Sequence, residues 1–375
     1  MRRVATFLRF ATIALILIGL VVLYSTSSAR GSDPHFFLKR QLTWLLVFGV
    51  PSFYAASMLD YRIWRKWCWP LLIGCAILLV LVLVPGIGIR VKGSARWLGF
   101  GPIRIQPSEF AKIAIIASMA AYMSRFGRQG HQLLKGLIYP LAGLGFFALL
   151  LILEPDYGAT ILIVSIGVAI MFAGGTRITY LLVVSAVGLG GVGALIFQNP
   201  NRLGRVMGFL FPEQYPDQAY HLTQSLYAFY RGGLTGVGLG NSMQKRFYLP
   251  EAHTDFIFAI IGEELGLLAS SAVLLLFVFY FVCGMLISFR AQDSFGRLLA
   301  FGITMMIGLQ AAVNIAVVTG LAPTKGLALP FISYGGSNLI SSLILTGILL
   351  SVAKASGLDG GLGARGKAKD RLHHA

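Results

Sequence analysis

Charge is scarce in this sequence. Only 12% of its 375 residues are Asp, Glu, Lys or Arg, against about 25% in an ordinary soluble domain. Acids are scarcer than bases: 14 Asp and Glu stand against 31 Lys and Arg, a formal net charge of +17. Cysteine is nearly absent. Cys68, Cys75 and Cys283 lie in or beside apolar runs without CxxC or metal-ligand spacing, so no disulfide scaffold or thiolate metal site is encoded. The chain also lacks a phosphate-cradling GxxxxGK[ST] loop, HExxH and GxSxG. No soluble domain is present to bind ATP, so any chemistry must be driven by the substrate or by an ion gradient.

Apolar sequence is what the chain has in quantity. Its hydrophobic fraction is 56% and its mean hydropathy +0.77. These values exclude a soluble enzyme and a disordered chain. The apolar runs are long and unbroken rather than alternating, which indicates membrane helices and not a barrel. Windows free of Asp, Glu, Lys and Arg fall at 10–29, 41–59, 67–89, 113–124, 136–153, 157–176, 178–201, 265–289, 298–324 and 326–353. The fourth reaches membrane length only if it begins near Gln106 and carries Glu109 and Lys112 inside. The eighth is extended towards Asp255. The expected fold is therefore an all-α polytopic membrane protein of ten transmembrane helices, occupying 1–354. The first window resembles a secretory signal, ending in Ser27-Ser28-Ala29, but its 20 charge-free residues exceed a signal core of about 7–15.

Ten spans put both termini on one side. With that side cytoplasmic, it receives 17 of the 31 Lys and Arg and four of the 14 acids, which favours an N-in, C-in orientation. The large hydrophilic connection, 199–254, then lies outside, between the seventh and eighth spans. One outer segment, 86–112, runs against the rule. It carries Arg90, Lys92, Arg96, Arg104 and Lys112 with a single acid, Glu109. A phosphate-bearing ligand at the outer leaflet would account for it, as would lipid headgroups or acids of the outer loop. The tail 355–375 is rich in Gly, Lys and Arg and reads as a disordered basic segment beside anionic lipids. Its final His373-His374 is too little for a metal site.

Within the outer loop, His221–Tyr230 reads as a short amphipathic helix roofing a cavity. Five glycines follow between Arg231 and Asn241. Asn241 occupies the sixth position and no βαβ unit surrounds it, so this is no dinucleotide fingerprint. It is either a hinge or a place where backbone approaches a ligand. Thr254 reads as the N-cap of the eighth span, with Asp255 in its first turn. Beside His253, Asp255 is either a capping acid or a proton acceptor for an incoming hydroxyl. Glu263 and Glu264 read as structural acids paired with Lys112 or an outer arginine. Glu109 and Lys112, three apart, can pair with each other. Glu154-Pro155-Asp156 is either an acidic turn or part of a divalent-cation site. Lys325, in the turn 323–326, is a candidate phosphate contact. Asn314 lies in the middle of the ninth span, and the small residues of the last span, including Ser333, Gly335, Gly336 and Ser337, read as helix-packing positions.

Several segments together resemble one family. They are Lys92-Gly-Ser-Ala-Arg-Trp97, Arg104-Ile-Gln-Pro-Ser-Glu-Phe-Ala-Lys112, Glu154-Pro-Asp156 and Gly236-Val-Gly-Leu-Gly-Asn241. Phe247 to Phe258, Ile261-Gly-Glu-Glu-Leu-Gly266 and Leu329-Pro-Phe-Ile-Ser-Tyr-Gly-Gly-Ser337 complete the set. The chain resembles the SEDS proteins (shape, elongation, division and sporulation: FtsW, RodA and SpoVE). Its Pro-Glu-Ala-His-Thr-Asp255 and Pro323-Thr-Lys-Gly326 are similar to the division branch. Asn338, Tyr157 and Arg246 depart from the family pattern.

The resemblance implies a peptidoglycan glycosyltransferase that polymerises lipid II at the outer face of the cytoplasmic (inner) membrane. Asp255 would be the general base. Arg96, Arg104, Lys112, Lys245 and Lys325 are the candidate cations for the departing diphosphate. Glu109, His253 and Ser333 complete the expected substrate contacts, and a divalent cation, Mg²⁺ or Mn²⁺, is a possible helper. Expected partners are a class B penicillin-binding protein and the FtsQ–FtsL–FtsB group, with no nucleic acid. The alternatives are a RodA-type elongation polymerase, a lipid II flippase and a non-catalytic scaffold. A flippase requires polar residues through the full membrane depth, whereas these charges gather at one edge.

Overall fold

A computed structural model of the chain describes residues 1–27, 35–91, 94–100 and 103–372. Lys92 and the Ser28-Ala29 part of the signal-like segment lie outside the described residues. Helices dominate. In chain order they are α1 (Arg2–Ser27), α2 (Phe36–Thr43), α3 (Val50–Met58), α4 (Arg62–Leu83), α5 (Pro107–Phe126), α6 (Tyr139–Leu153) and α7 (Tyr157–Ala173). Then come α8 (Ile178–Phe197), α9 (Pro200–Leu210), α10 (Pro216–Gly232), α11 (Ile257–Phe289), α12 (Ser294–Val318) and α13 (Gly336–Leu372). A π-helical turn, Trp44–Gly49, joins α2 to α3, and another, Leu134–Ile138, leads into α6. Among the described residues six helices are long and apolar enough to cross a bilayer, and two more apolar helices, Tyr157–Ala173 and Ile178–Ala194, are shorter. The protein is a multi-pass helical membrane protein.

At the centre stands α5. It packs against α4, α7, α12 and α13, and its residues 111–120 are all buried. A helix apolar on every side belongs inside a bundle. Its first turns carry Glu109 and Lys112, 7% and 2% exposed, so the helix does start beside Gln106, with both charged side chains buried in the bundle.

The all-α expectation needs one amendment. Segment 86–112 contains an antiparallel three-stranded sheet, β1 (Gly88–Val91), β2 (Ser94–Phe100) and β3 (Ile103–Ile105). The sequence pattern read its basic residues as a loop. Between them stand Ile89, Trp97, Leu98, Phe100, Ile103 and Ile105, the β-branched and aromatic types that favour strands. Leu98 is buried, and β2 packs on α4 and α5.

The 199–254 connection is also more ordered than a loop. The expected helix at His221–Tyr230 is the core of α10, and α9 precedes it. The glycine segment after α10 approaches backbone, not a ligand. Helix α11 is interrupted at Gly266 (φ 76, ψ −175). There Val237 and Gly238 donate to the freed carbonyls of Glu263 and Glu264, both at 3.0 Å, while Leu267 and Leu268 donate to Gly233 and Leu234 carbonyls at 2.9 and 3.3 Å. A Cβ on Gly236 would collide with the Glu264 carbonyl, so only glycine fits this crossing.

The acids of the break are satisfied from the same segment. Glu264 accepts from Lys245 Nζ at 2.8 Å and from the Ser25 hydroxyl at 2.6 Å. Glu263 accepts from Ser242 and from the Met243 amide (3.0 Å), with Arg231 Nη1 at 3.7 Å. Lys112 is therefore not their partner: Glu263 faces an arginine, Arg231, and Glu264 a lysine, Lys245. At the other end, α13 runs to Leu372.

Lys245 and Glu264 are 2% and 1% exposed in their side chains. Removing one partner strands the other charge, at a cost of about 3–5 kcal/mol. Lys245→Ala is expected to lower the melting temperature of the detergent-solubilised protein sharply, while Lys245→Ala/Glu264→Ala recovers most of the loss.

Candidate active site

Four connections converge on one cavity of about 530 Å³. Arg96 and Trp97 on β2 form one side, and Glu109 and Lys112 at the start of α5 form the floor with Gln310 of α12 and Asn338 of α13. The α6–α7 turn contributes Asp156. The 199–254 connection and the turn after it contribute Arg205, His221 and the stretch 251–256, and the α12–α13 connection contributes 324–328 with Tyr334 and Gly335.

Asp255 sits in a tight turn before α11. Phe256 is the N-cap, and the helix begins at Ile257. The expected N-cap, Thr254, is displaced from that role because Glu251 adopts φ 58 and bends the chain into a turn; the Thr254 hydroxyl donates to Glu251 Oε2 at 2.8 Å. Asp255 thus lies just outside the helix, half-buried in the cavity wall. Three ties hold this turn against the α12–α13 connection. Asn314 Nδ2 donates to the Asp255 carbonyl at 2.8 Å and to the Leu327 carbonyl at 2.6 Å. The Ser333 hydroxyl donates to the Thr254 carbonyl at 2.6 Å, and the Tyr334 amide to the His253 carbonyl at 3.0 Å. Gly326 is thereby set beside the carboxylate, where a Cβ on it would stand 3.2 Å from Asp255 Oδ2, and Lys325 lines the same cavity.

Of the residues singled out from sequence, Asp255, Arg96, Lys112, Glu109 and Lys325 line this cavity. Their states differ. Lys112 Nζ bonds Glu109 Oε1 at 2.7 Å and Gln310 Oε1 at 3.1 Å, and Glu109 Oε2 accepts from Ser341 at 2.9 Å. Arg96 donates to the Pro155 carbonyl, and its Nη1 is 3.9 Å from Asp156. Lys325 makes no ion pair among the described residues, and burial pulls its ammonium below the usual lysine range.

Four expected contacts fall elsewhere. Lys245 is buried with Glu264, as described above. Arg104 is an exposed residue of β3 and does not line the cavity. His253 stacks on Phe37, ring centroids 4.0 Å apart, and Ser333 is spent on backbone. These two support the wall rather than form its surface.

Sequence reasoning missed Arg205 and His221. The His221 ring stacks on Phe256 at 5.7 Å, beside Asp255. An Asn-Pro pair at 199–200 is the start signal that places Arg205 on a helix; Asn199 does cap α9.

A divalent cation held by protein alone does not fit the donors present. Asp156 faces Arg96 and Glu109 holds Lys112, and the described residues contain no cluster of three or more His, Cys, Asp or Glu. Beside Asp156 lies Glu154, fully buried, with both carboxylate oxygens lacking a hydrogen-bond partner.

Burial, with the neighbouring Asp156 charge adding to it and Arg96 opposing, pushes the Glu154 carboxyl up to about 8. A carboxyl whose folded value is raised holds its proton more firmly in the folded state. Its favourable contribution is complete below the ordinary value of about 4.3 and is lost as pH rises through about 8. Stability should therefore decline across that window. Glu154→Gln is expected to flatten the decline, measured as melting temperature against pH.

Comparison with known proteins places the chain. A family profile described as "Cell cycle protein", covering FtsW, RodA and SpoVE, matches residues 5–357. A probable peptidoglycan glycosyltransferase FtsW of Trichlorobacter lovleyi is 44% identical over 346 residues, covering 91% of each chain. Stage V sporulation protein E of Bacillus subtilis is 41% identical over 351 residues, covering 92% of this chain and 95% of its own. Among solved structures, a chain from work on polymerization and crosslinking by a peptidoglycan synthase complex superposes with TM-score 0.78 at 25% identity, covering 93% of this chain and 97% of that one. The Thermus thermophilus rod shape determining protein RodA gives 0.70 at 26%, with coverage of 92% and 95%. With the profile spanning nearly its whole length, this chain belongs to the FtsW/RodA/SpoVE family of cell cycle proteins.

Proposed function

We propose that this chain is a peptidoglycan glycosyltransferase of the division type, joining lipid II units into glycan strands at the outer face of the cytoplasmic membrane during septal wall synthesis. The observation that carries the reading is a single cavity lined both by a half-buried carboxylate, Asp255, and by a lysine, Lys325, that makes no ion pair among the described residues. The names of the similar proteins support the activity. Ten spans with both ends inside give the arrangement its sense: all four connections that wall the cavity then lie on the outer side.

In this reaction Asp255 takes the proton from the 4-hydroxyl of the acceptor GlcNAc. The oxygen forms a bond to the anomeric carbon of the donor. The bond from that carbon to the diphosphate oxygen breaks, and its electron pair leaves on undecaprenyl pyrophosphate. Attack from the face opposite the leaving group turns the α-linked lipid into a β-1,4 bond. Lys325 stabilises the charge growing on the diphosphate, and its partial desolvation strengthens that interaction. Arg96 and Lys112, each engaged with a carboxylate, keep the walls in place.

A lipid II flippase is the rival from another class. The cavity floor argues against it. Below Glu109, Lys112, Gln310 and Asn338, α5 continues through Ile113, Ala114, Ile115, Ile116 and Ala117, all buried apolar residues, so the central helix offers no polar surface there. We assign a class B penicillin-binding protein and the FtsQ–FtsL–FtsB group as partners.

Labelled lipid II given to the purified protein, with and without its cognate transpeptidase, tests the reading. Wild type is expected to form glycan chains. Asp255→Asn should reduce the rate by about 10²–10⁴-fold, the contribution of a positioned base, with unchanged melting. Full activity in that variant would sink the base assignment. No polymer from wild type with the partner present would turn attention to lipid II translocation in liposomes.

A further inference from the structure

Four cations line the cavity: Arg96, Lys112, Arg205 and Lys325. Two are committed, Lys112 to Glu109 and Arg96 to the 155–156 turn. Freeing either for a ligand would strand a buried carboxylate. Among the described residues Arg205 and Lys325 engage no carboxylate. Lys325 is already assigned above. Arg205, exposed at the cavity wall on α9, is a cation without an assigned task.

A contact one helical turn away steadies Arg205 there. Arg202 is three positions before Arg205, on the same face of α9. Its guanidinium carbon lies 3.7 Å from the Tyr157 ring centroid, and it donates to the Tyr157 hydroxyl. Tyr157 is the first residue of α7, directly after its N-cap Asp156, and Asp156 lines the cavity. Tyr157 is also a departure from the family pattern, which has Leu. The anchor matters because α8 offers little: of its described side chains only Leu181 is buried. The arm α8–α9 is thus fastened through the packing of α9 on α10 and through Arg202 on Tyr157.

We propose that Arg205 binds the diphosphate of the lipid-linked donor sugar, acting with Lys325, and that the Tyr157–Arg202 contact positions it. An arginine suits the task because its planar fork meets two phosphate oxygens at once. Arg205 binds diphosphate directly; Tyr157 and Arg202 act through it. This inference rests on the polymerase reading, which names the diphosphate.

The test uses the full purified chain and reads binding, not turnover. Undecaprenyl pyrophosphate and undecaprenyl monophosphate are titrated against wild type, Arg205→Ala, Arg205→Lys, Tyr157→Leu and, as a control off the cavity, Arg104→Ala. Wild type is expected to prefer the diphosphate. Arg205→Ala should raise its Kd by about tenfold or more, the scale of a lost charge-assisted contact, and reduce the preference. Lysine should restore part of the affinity, Tyr157→Leu should weaken binding in the same direction, and Arg104→Ala should match wild type. Wild-type affinity in a well-folded Arg205→Ala, or an equal loss in Arg104→Ala, overturns the proposal. The polymerase reading fails separately, on the absence of glycan chains from wild type, whatever Arg205 does.

Discussion

One buried amide organises this site. Asn314, 2% exposed on α12, donates from a single nitrogen to the carbonyls of Asp255 and Leu327. An amide buried without partners is costly; with two backbone acceptors it becomes a pin. The loops it joins need one. Each contains a non-glycine residue in the left-handed region, Glu251 at φ 58 and Phe331 at φ 66, a conformation that costs about 1–3 kcal/mol and persists only when surroundings enforce it. Ser333 and Tyr334 add the other ties. The relation between Asp255 and Lys325 is thus set by hydrogen bonds between irregular segments, anchored to a helix that neither residue belongs to.

Membrane interiors make such pinning necessary. Apolar faces gain nothing from leaving lipid for one another, so packing and polar contacts hold the helices. The buried pairs Lys112–Glu109 and Lys245–Glu264 (both at 2.7–2.8 Å) belong to this framework. A buried ion pair says little about net stability, but it does say that both charges are immobile. That separates the cations into two sets. Of the cations that line the cavity, those already paired fix walls, and those left unpaired among the described residues face the space where a ligand would come. The basic excess of 86–112, which suggested ligand binding as a block, is not one unit: Arg96 braces the 155–156 turn, and Arg104 is exposed and does not line the cavity.

Much of the fold was legible because membrane helices announce themselves by composition. The early start of α5 followed from a length argument, since residues 113–124 alone are too short to span, and the burial of Glu109 and Lys112 came with it. The sheet at 88–105 was not legible, because its strands are short and interleaved with arginines, and charge density masked their alternation. Asp255 was found through the family motif, and its place in the cavity agrees with that. Its true position outside the helix was hidden, because Thr-Asp before an apolar run reads as a cap and nothing in the sequence signals the left-handed Glu251. Lys245 looked like any other outer cation; only the break at Gly266 brings Glu264 to it. Arg205 was missed because the connection was read as one unit, and the side that a loop residue faces is undefined until its helix is.

That break explains why the outer connection forms a wall and not a loose lid. A continuous α11 would have no free backbone groups near Glu264. Interrupting it at Gly266 releases two carbonyls and two amides, and the glycine segment 233–238 takes up all four. The carboxylates of Glu263 and Glu264 then fix the following turn, from Ser242 to Lys245. From there only a short stretch leads to Asp255. On its other side, α10 stacks His221 on Phe256 and donates the Ser225 hydroxyl to the Val318 carbonyl at 2.6 Å. The segment that carries the carboxylate is therefore held at both ends by the same connection. A force applied to α10 or to the glycine segment reaches Asp255 through hydrogen bonds and ring contacts, without crossing the lipid-facing helices. A partner that grips the 199–254 connection would act on the position of Asp255 directly.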